Sequence, residues 1–360
     1  MTEESEDTEE YYTEEARKQF KESQEERDYW KDDKESIDKD QIPHFFPTFR
    51  INRKFYPVPI ILVVICAGIL AYLTYVEAGI DYIEGGYISE EEYGAAGGLL
   101  NGIIFTALAA VSSFTIIFLI KKLGIGILKY IFGGSFGFLG FFLTLFFGEI
   151  ILYLVFVNLP ETQFIYDLYN ASFWVLLIGT LVFMGVMLYK YFKTESYFTK
   201  NFFVSYIGLL IGALMGVIMP LWTTLAILVG ISCWDMYAVL SKRGPIKEMI
   251  DMVSEKGETE GMTEEEIQEK LESGEMEYDT SNLEIGIGDL AFYSMLTSAA
   301  LLQTGSVIVM ILTAIAVISG TGVTIAGLKR NKILPGLPIS IFLGIGTMLL
   351  SWWILTLIPA

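Results

Sequence analysis

Two apolar segments, LAILVGISCWDMYAVL (residues 225–240) and IGIGDLAFYSML (residues 285–296), each contain one aspartate, Asp235 and Asp289. A carboxylate at membrane depth costs at least about 2.5 kcal/mol on insertion scales, so an acid in such a place indicates a function. Two acids on successive apolar segments call for one explanation. We interpret them as a pair of carboxyl groups that share one chemical task inside the bilayer.

The rest of the chain has the composition of a membrane protein. Of its 360 residues, 53% are hydrophobic, and the mean hydropathy is +0.49. Runs of roughly 18 or more apolar residues are typical of membrane-spanning helices. Nine such spans are predicted, at about 57–76, 95–120, 130–157, 171–189, 202–219, 222–240, 285–303, 305–328 and 335–358. The sequence therefore predicts an all-α, multi-pass integral membrane protein, placed in the cell membrane.

Basic residues predict the orientation of the spans. They cluster in alternate connections, after spans two, four, six and eight: Lys121, Lys122, Lys129; Lys190, Lys193, Lys200; Lys242, Arg243, Lys247; Lys329, Arg330, Lys332. The loops Glu77–Gly94 and Pro160–Tyr169 contain no Lys or Arg. The positive-inside rule then places the N-terminus in the cytosol and the C-terminus outside.

Charge divides the chain into four predicted segments. The net charge is -19, and much of the acid lies before the first span and between spans six and seven. We predict an acidic, flexible cytosolic arm (1–54), six helices (55–241), an acidic cytosolic loop (242–284) and three helices (285–358). Charge spacing permits helix at 14–34, and a capping box favours a short helix at 263–271. The acidic balance argues against nucleic acid as a partner.

The few His and Cys residues exclude several chemistries. The single histidine, His44, lies outside the spans, so neither a Ser/His site in the membrane nor an HExxH zinc site can be built. Cys66 and Cys233 each lie within a span, and we interpret them as free packing residues. We expect no metal and no cofactor, which leaves carboxylate chemistry.

The predicted topology brings the two aspartates to the same depth. Asp235 lies seven residues before Lys242, roughly 10 Å from the cytosolic end of its helix at 1.5 Å per residue. Asp289 lies about four residues into the next span, which runs the opposite way, so its depth is roughly 6 Å. Such a pair can share one proton, with the ionised group activating water and the protonated group polarising a carbonyl.

Glycines and prolines near the acids have two interpretations each. Gly286 and Gly288 either allow a substrate backbone to approach or let helices pack closely. Pro335 and Pro338 flank Gly336 and Leu337 at the start of the last span, at the depth of the acids. These prolines either keep the backbone irregular, so that a substrate strand can pair with it, or begin an ordinary helix.

Small and polar residues inside other spans have structural interpretations. Gly208, Gly212 and Gly216 form a repeated GxxxG ridge on span five, which favours close helix packing. Asn101 and Glu149 are expected to form interhelical hydrogen bonds or to face the bundle, and we place neither in the functional site.

Together these motifs resemble the presenilin / signal peptide peptidase family of GxGD aspartyl proteases. The GxGD motif is present as Gly286-Ile287-Gly288-Asp289, the aromatic–Asp motif as Trp234-Asp235, and the PAL motif as Pro335-Gly336-Leu337. The surrounding sequence and the predicted topology are more similar to presenilin than to signal peptide peptidase. Two residues depart from the family pattern: Trp234 replaces Tyr or Phe, and Gly336 replaces Ala.

The resemblance implies an intramembrane aspartic endopeptidase. Asp235 and Asp289 would be catalytic, and Gly286, Gly288, Pro335, Gly336 and Leu337 would bind substrate. The substrates would be transmembrane helices, of type I orientation, or signal peptides, cut within the lipid bilayer. The compact chain resembles archaeal homologues that act alone, and the sequence leaves open whether it forms a homo-oligomer.

A second function uses the same two residues. Paired carboxylates in membranes also carry protons or cations in transporters and channels. Transporters commonly contain repeated halves and broken helices at the midplane, whereas this chain has no evident internal repeat and its acids lie near one edge. Proteolysis is therefore the favoured interpretation, with an ion-coupled transporter or channel as the alternative.

Overall fold

The protein is described by a computed structural model that covers residues 35–37, 47–79, 85–124, 126–193, 196–241, 244, 276–278, 282–328 and 335–357. The two short helices predicted at 14–34 and 263–271 lie outside these residues. Within the described ranges the architecture is overwhelmingly helical, as the sequence predicts.

Nine helices of the described residues correspond in order to the nine predicted spans. They are α1 (Pro57–Tyr72, continued by a π-turn at Leu73–Glu77), α2 (Ala95–Leu123), α3 (Ile127–Phe156), α4 (Gln163–Lys193), α5 (Tyr197–Ile218), α6 (Leu221–Leu240), α7 (Ile287–Thr304), α8 (Val307–Leu328) and α9 (Leu337–Leu357). Eight of the nine are long and apolar enough to cross a membrane, and α7 is the one that does not meet this criterion. The orientation remains a prediction.

Helix α4 begins earlier than predicted, at Gln163 instead of about residue 171. The prediction followed the apolar run and stopped where polar residues begin. In the structure, the Thr162 hydroxyl accepts a hydrogen bond from the Ile165 amide at 3.3 Å, and Gln163 donates to Asp167 at 2.9 Å. These polar contacts support an additional helical segment before the apolar run.

Helix α7 lies at the centre of the bundle. Its buried residues run almost without interruption from Leu290 to Leu301 and include hydroxyl groups at Ser294, Thr297 and Ser298. It packs against α1, α5, α6, α8 and α9. A helix enclosed by protein needs no lipid-compatible surface, so it can carry hydroxyl groups and an acid that a lipid-facing helix cannot.

The glycine ridge of α5 lies directly against α7. A Cβ added at Gly212 would lie 2.3 Å from the Ser294 Cβ, and one added at Gly216 would lie 2.5 Å from the Ser298 Cβ. Gly208 faces Leu290 at a looser 3.3 Å. The two backbones therefore approach more closely than any side chain on α5 would permit, as the spacing predicts.

Replacing Gly212 with Ala is expected to destabilise the protein by about 1–3 kcal/mol, since the added methyl group must push α7 away from α5. Denaturation in detergent micelles measures the change. Gly185→Ala on α4 is the matched control, because a Cβ there would meet nothing within 4 Å. Equal stability of the two variants would contradict the packing argument.

Two short strands flank the helices that they precede. β2 (Thr48–Asn52) lies just before α1, and β4 (Asn282–Gly286) runs directly into α7. They pair antiparallel, with Thr48 opposite Gly286 and Asn52 opposite Asn282. β2 belongs to the predicted arm, and β4 covers the end of the predicted loop and the first two residues of predicted span seven, so the ends of the arm and the loop meet beside the helix that carries Asp289.

A separate compact unit contains the other two strands. β1 (Glu35–Ile37) and β3 (Met276–Tyr278) pair in parallel, with Glu35 opposite Met276. This pairing joins the predicted arm to the predicted loop by backbone hydrogen bonds.

The polar residues set aside in the sequence have different environments. Asn101 is fully buried; its side chain bonds to both backbone groups of Ile88 and donates to Thr223 on α6 at 3.0 Å. This is an interhelical hydrogen bond of the predicted kind. Glu149 is exposed on α3, so the prediction that it faces the bundle is wrong. Cys66 and Cys233 are free thiols, and Cys233 is exposed.

Candidate active site

Asp289 lies in the first turn of α7, directly after β4 ends. Gly286 is the N-cap of the helix, and its backbone amide is positioned to hydrogen-bond to the Asp289 carboxyl group. A carboxyl group in the first turn of a helix also interacts favourably with the unpaired amides and the positive end of the helix dipole. The local fold therefore stabilises an acid at this edge of the apolar bundle.

The glycines of this segment are not required by packing. A Cβ added at Gly286 or at Gly288 would approach no atom nearer than 3.9 Å. Gly286 has φ -65°, which any residue adopts. The helix-packing interpretation of these two glycines is therefore weak, in contrast to the ridge on α5. The open backbone beside Asp289 leaves room for another chain to approach.

Asp235 lies on α6, five residues before the helix ends at Leu240. The carboxyl groups of Asp235 and Asp289 are near enough to interact electrostatically, and both residues are partly buried. The ends of α6 and α7 thus bring together the two acids that the sequence singles out.

The Pro335-Gly336-Leu337 segment contacts both acids. The Leu337 amide donates a hydrogen bond to Oδ2 of Asp235 at 3.3 Å. A Cβ added at Gly336 would lie 3.2 Å from Oδ2 of Asp289. Helix α9 begins at Leu337, so Pro335 and Gly336 remain non-helical while Pro338 falls within the first turn. Pro335 thus lies in irregular backbone and Pro338 begins an ordinary helix, while pairing of this backbone with a substrate strand stays a prediction.

A hydroxyl cluster lies beneath this segment. The Tyr293 hydroxyl is within 3.4 Å of the Gly336 carbonyl and 3.3 Å of the Ser340 hydroxyl, which lies 3.1 Å from the Thr321 hydroxyl. The cluster joins α7, α8 and α9 behind the acids. Sequence reasoning missed it, although Tyr293 follows Asp289 by four residues and must lie on the same helix face.

A lateral groove of 530 Å³ runs between α2 and α6 and includes Cys233, Trp234 and Tyr237. Trp234 contacts Phe114 edge-on, with ring centroids 5.9 Å apart, and lies 5.4 Å from the Tyr237 ring. The departure from Tyr or Phe at this position thus contributes to the wall of an apolar groove on the helix of Asp235. Within the described residues, no cluster of three or more His, Cys, Asp or Glu side chains could hold a metal ion.

The Presenilin family model matches residues 50–260 and 254–358, nearly the whole chain after the acidic arm. The chain belongs to the presenilin family. Presenilin-B of Dictyostelium discoideum is 37% identical over 133 residues, which are 35% of this chain and a quarter (25%) of that protein. A presenilin-like protein of Arabidopsis thaliana is 23% identical over 320 residues, covering 69% of this chain and 76% of the relative.

Solved presenilin structures have the same fold. Two crystal forms described as a presenilin family intramembrane aspartate protease match with TM-scores of 0.50 and 0.51 at 13% identity. The matches cover 82% and 83% of this chain, and 95% and 96% of those chains. At this identity the likeness establishes the presenilin fold and, with the apolar helices, a multi-pass integral membrane protein.

Proposed function

We propose that this presenilin-family protein is an intramembrane aspartyl protease that uses Asp235, Asp289 and one water molecule. The observation that carries the proposal is the contact of one backbone segment with both acids. Leu337 donates to the carboxyl group of Asp235, and Gly336 lies beside the carboxyl group of Asp289. An accidental pair of buried acids would have no reason to share one backbone segment at the start of a helix, whereas a hydrolytic site needs an opening for a peptide.

The proposed reaction is the addition of water to a peptide carbonyl. The ionised carboxylate removes a proton from water as the oxygen attacks the carbonyl carbon, and the protonated acid donates its proton to the carbonyl oxygen. The tetrahedral intermediate then loses the amine, which accepts a proton from the protonated acid, while one of its two hydroxyl groups returns a proton to the other carboxylate and a carboxylic acid remains. The two acids exchange protonation states during the addition and return to their starting states during the breakdown, and their titration belongs to the pair.

Substrate recognition is proposed for the backbone around the acids. Gly286 and Gly288 leave open backbone near Asp289, and Pro335, Gly336 and Leu337 form the segment that contacts both acids. A peptide bond in an intact helix is shielded by its own side chains and hydrogen bonds, so the substrate helix must unwind here. Transmembrane helices of type I orientation and signal peptides are the proposed substrate classes.

The test uses the purified full chain in liposomes with a type I transmembrane peptide. Mass spectrometry of the products reports cleavage, and a pH-sensitive dye inside the vesicles reports proton flux. Defined cuts within the apolar part of the peptide, lost in the aspartate variants, would support the protease. Proton flux that requires Asp235 and Asp289, without any cleavage of the peptide, would overturn the protease in favour of a transporter.

The Leu337 amide provides a finer test. Leu337→Pro removes the backbone N–H that donates a hydrogen bond to Asp235. Leu337→Ala keeps this N–H and, like the Pro variant, lacks the leucine side chain. A hydrogen bond to a charged group contributes about 1.5–3 kcal/mol, so kcat of the Pro variant is expected to fall roughly ten- to a hundredfold below that of the Ala variant. Steady-state kinetics on the same peptide measure this difference. Equal kcat values would show that this amide has no part in the reaction.

A further inference from the structure

We propose that β2, the strand before the first membrane helix, positions Asp289, with Asn201 and Arg50 as the residues that hold it. This inference rests on the proposed proteolysis. It assigns a role to a part of the chain far from both aspartates in sequence: Thr48 bonds to Glu284 across 236 positions. Four sets of contacts support it.

The first contact is between β2 and α5. The side-chain amide of Asn201 accepts a hydrogen bond from the backbone N–H of Arg50 at 2.8 Å and donates one to the backbone carbonyl of Arg50 at 2.6 Å. These are the two backbone bonds that a neighbouring strand would make. Asn201 therefore replaces a third strand at the outer edge of β2.

The second contact is the β2–β4 ladder on the opposite edge. Residues along an antiparallel strand alternate between pointing their backbone groups toward the partner and away from it. Because the groups of Arg50 point to Asn201, those of Phe49 and Ile51 face β4, opposite Ile285 and Leu283. β2 thus has hydrogen-bonding partners on both edges and is fixed between α5 and β4.

The third contact is an ion pair across the ladder. Nε of Arg50 lies 2.6 Å from Oε1 of Glu284, and the Thr48 hydroxyl donates to Oε2 of the same carboxylate at 3.0 Å. The guanidinium group also lies over the Tyr197 ring, 5.5 Å from its centroid, and Nη1 is 3.4 Å from the Tyr197 hydroxyl. Tyr197 and Asn201 are one turn apart on α5, so the same helix contacts both the backbone of Arg50, through Asn201, and its guanidinium group, through Tyr197.

The fourth contact reaches the first turn of α7. The Pro47 carbonyl accepts a hydrogen bond from the backbone amide of Ile287 at 3.1 Å, and Ile287 is two residues before Asp289. Amides in the first turn have no partner within their own helix, so this bond replaces one that the helix cannot supply. The residue directly before β2 thereby fixes the end of α7, while the glycine ridge of α5 packs against the side of α7.

The consequence concerns Gly286 and Gly288, which have no side chains to hold the backbone around Asp289 in place. Without β2, the glycine-rich junction at which β4 ends and α7 begins would be free to move, and Asp289 with it. A catalytic group misplaced by about 1 Å can lose on the order of a hundredfold in rate. Asn201 and Arg50 are therefore positioning residues, which act on Asp289 through β2.

The experiment compares Asn201→Ala with Tyr206→Phe in the full-length protein. Tyr206 is also on α5 and forms one side-chain hydrogen bond, to Thr144 at 2.7 Å, but this bond is made to α3. We expect Asn201→Ala to lower kcat on a transmembrane peptide between about tenfold and a hundredfold with KM changed less than about threefold. Tyr206→Phe should leave both values near those of the wild type.

Hydrogen–deuterium exchange of peptides that span residues 283–289 provides a second readout that does not depend on activity. The amides of this segment should exchange faster in Asn201→Ala than in Tyr206→Phe. In a second pair of variants, Arg50→Glu and Glu284→Arg should each lower kcat, and the double variant should recover part of the loss.

The outcomes separate this proposal from the proteolysis on which it rests. If wild-type protein cuts the peptide and the aspartate variants do not, but Asn201→Ala keeps kcat and its exchange pattern, the positioning role is overturned and proteolysis stands. If Asn201→Ala exchanges faster yet keeps kcat, β2 is only an anchor and the proposal is again overturned. A wild-type protein that cuts nothing would overturn both.

Discussion

Replacement of either Asp235 or Asp289 by Asn is expected to lower cleavage of a transmembrane peptide by about a thousandfold or more. An amide can neither accept a proton from water nor donate one as an acid does, and positioned acid–base groups contribute up to about 10⁴-fold to a rate. Asn has nearly the shape of Asp, so the hydrogen bond from the Leu337 amide to position 235 can persist. Mass-spectrometric product counting at fixed protein concentration measures the loss.

The double variant distinguishes a pair from two independent acids. Residues that act as one unit have non-additive effects, so Asp235→Asn with Asp289→Asn should be about as slow as either single variant. Unfolding temperatures within a few degrees of wild type would serve as the folding control. Substantial activity in either single variant would contradict the shared role of the two acids.

Gly336→Val is expected to lower kcat roughly a hundredfold, because the new side chain would displace the Asp289 carboxyl group. A Cβ alone at this position lies 3.2 Å from Oδ2 of Asp289, and the two γ-methyl groups of Val need further space. Gly336→Ala is the matched control: a single methyl group requires the carboxyl group to move by only a few tenths of an ångström. The resemblance to the family, in which Ala is usual here, also implies that it is tolerated.

Steady-state kinetics and denaturation of both Gly336 variants test this prediction. We expect Gly336→Ala to retain kcat within about fivefold and Gly336→Val to lose activity while its unfolding temperature stays near that of Gly336→Ala. Equal kcat values for Val and Ala would show that Asp289 has space to move, and that the close approach of the Pro335–Leu337 segment does not constrain it.

The helices of this protein could be predicted from its sequence because lipid imposes a simple requirement. A span must be long and apolar, and this pattern predicted the nine long helices of the described residues to within several residues, although it missed the short helix Glu90–Tyr93 and only eight of the nine are apolar enough to cross a membrane. The largest error, at Gln163, arose because helix α4 continues past the apolar run on polar side-chain contacts. The proximity of Asp235 and Asp289 also followed from counting residues along antiparallel spans.

The parts that could not be predicted depend on long-range pairing. The strand Thr48–Asn52 alternates polar and apolar residues, so a local pattern typical of a strand was present and was missed. Its hydrogen-bonding partners, β4 and Asn201, are distant in sequence, so no local pattern could identify them. The exposure of Glu149 was missed for a related reason: an acid in an apolar run does not indicate which face of its helix is buried.

A structure with a hydroxyethylene peptide analogue bound would test the central claim most directly. The analogue carries a hydroxyl group where the tetrahedral intermediate carries the oxygen from water. If Asp235 and Asp289 act on one water molecule, this hydroxyl should lie within about 3 Å of a carboxyl oxygen of each residue. An analogue bound with its hydroxyl in contact with one acid only, or with neither, would contradict the proposed mechanism.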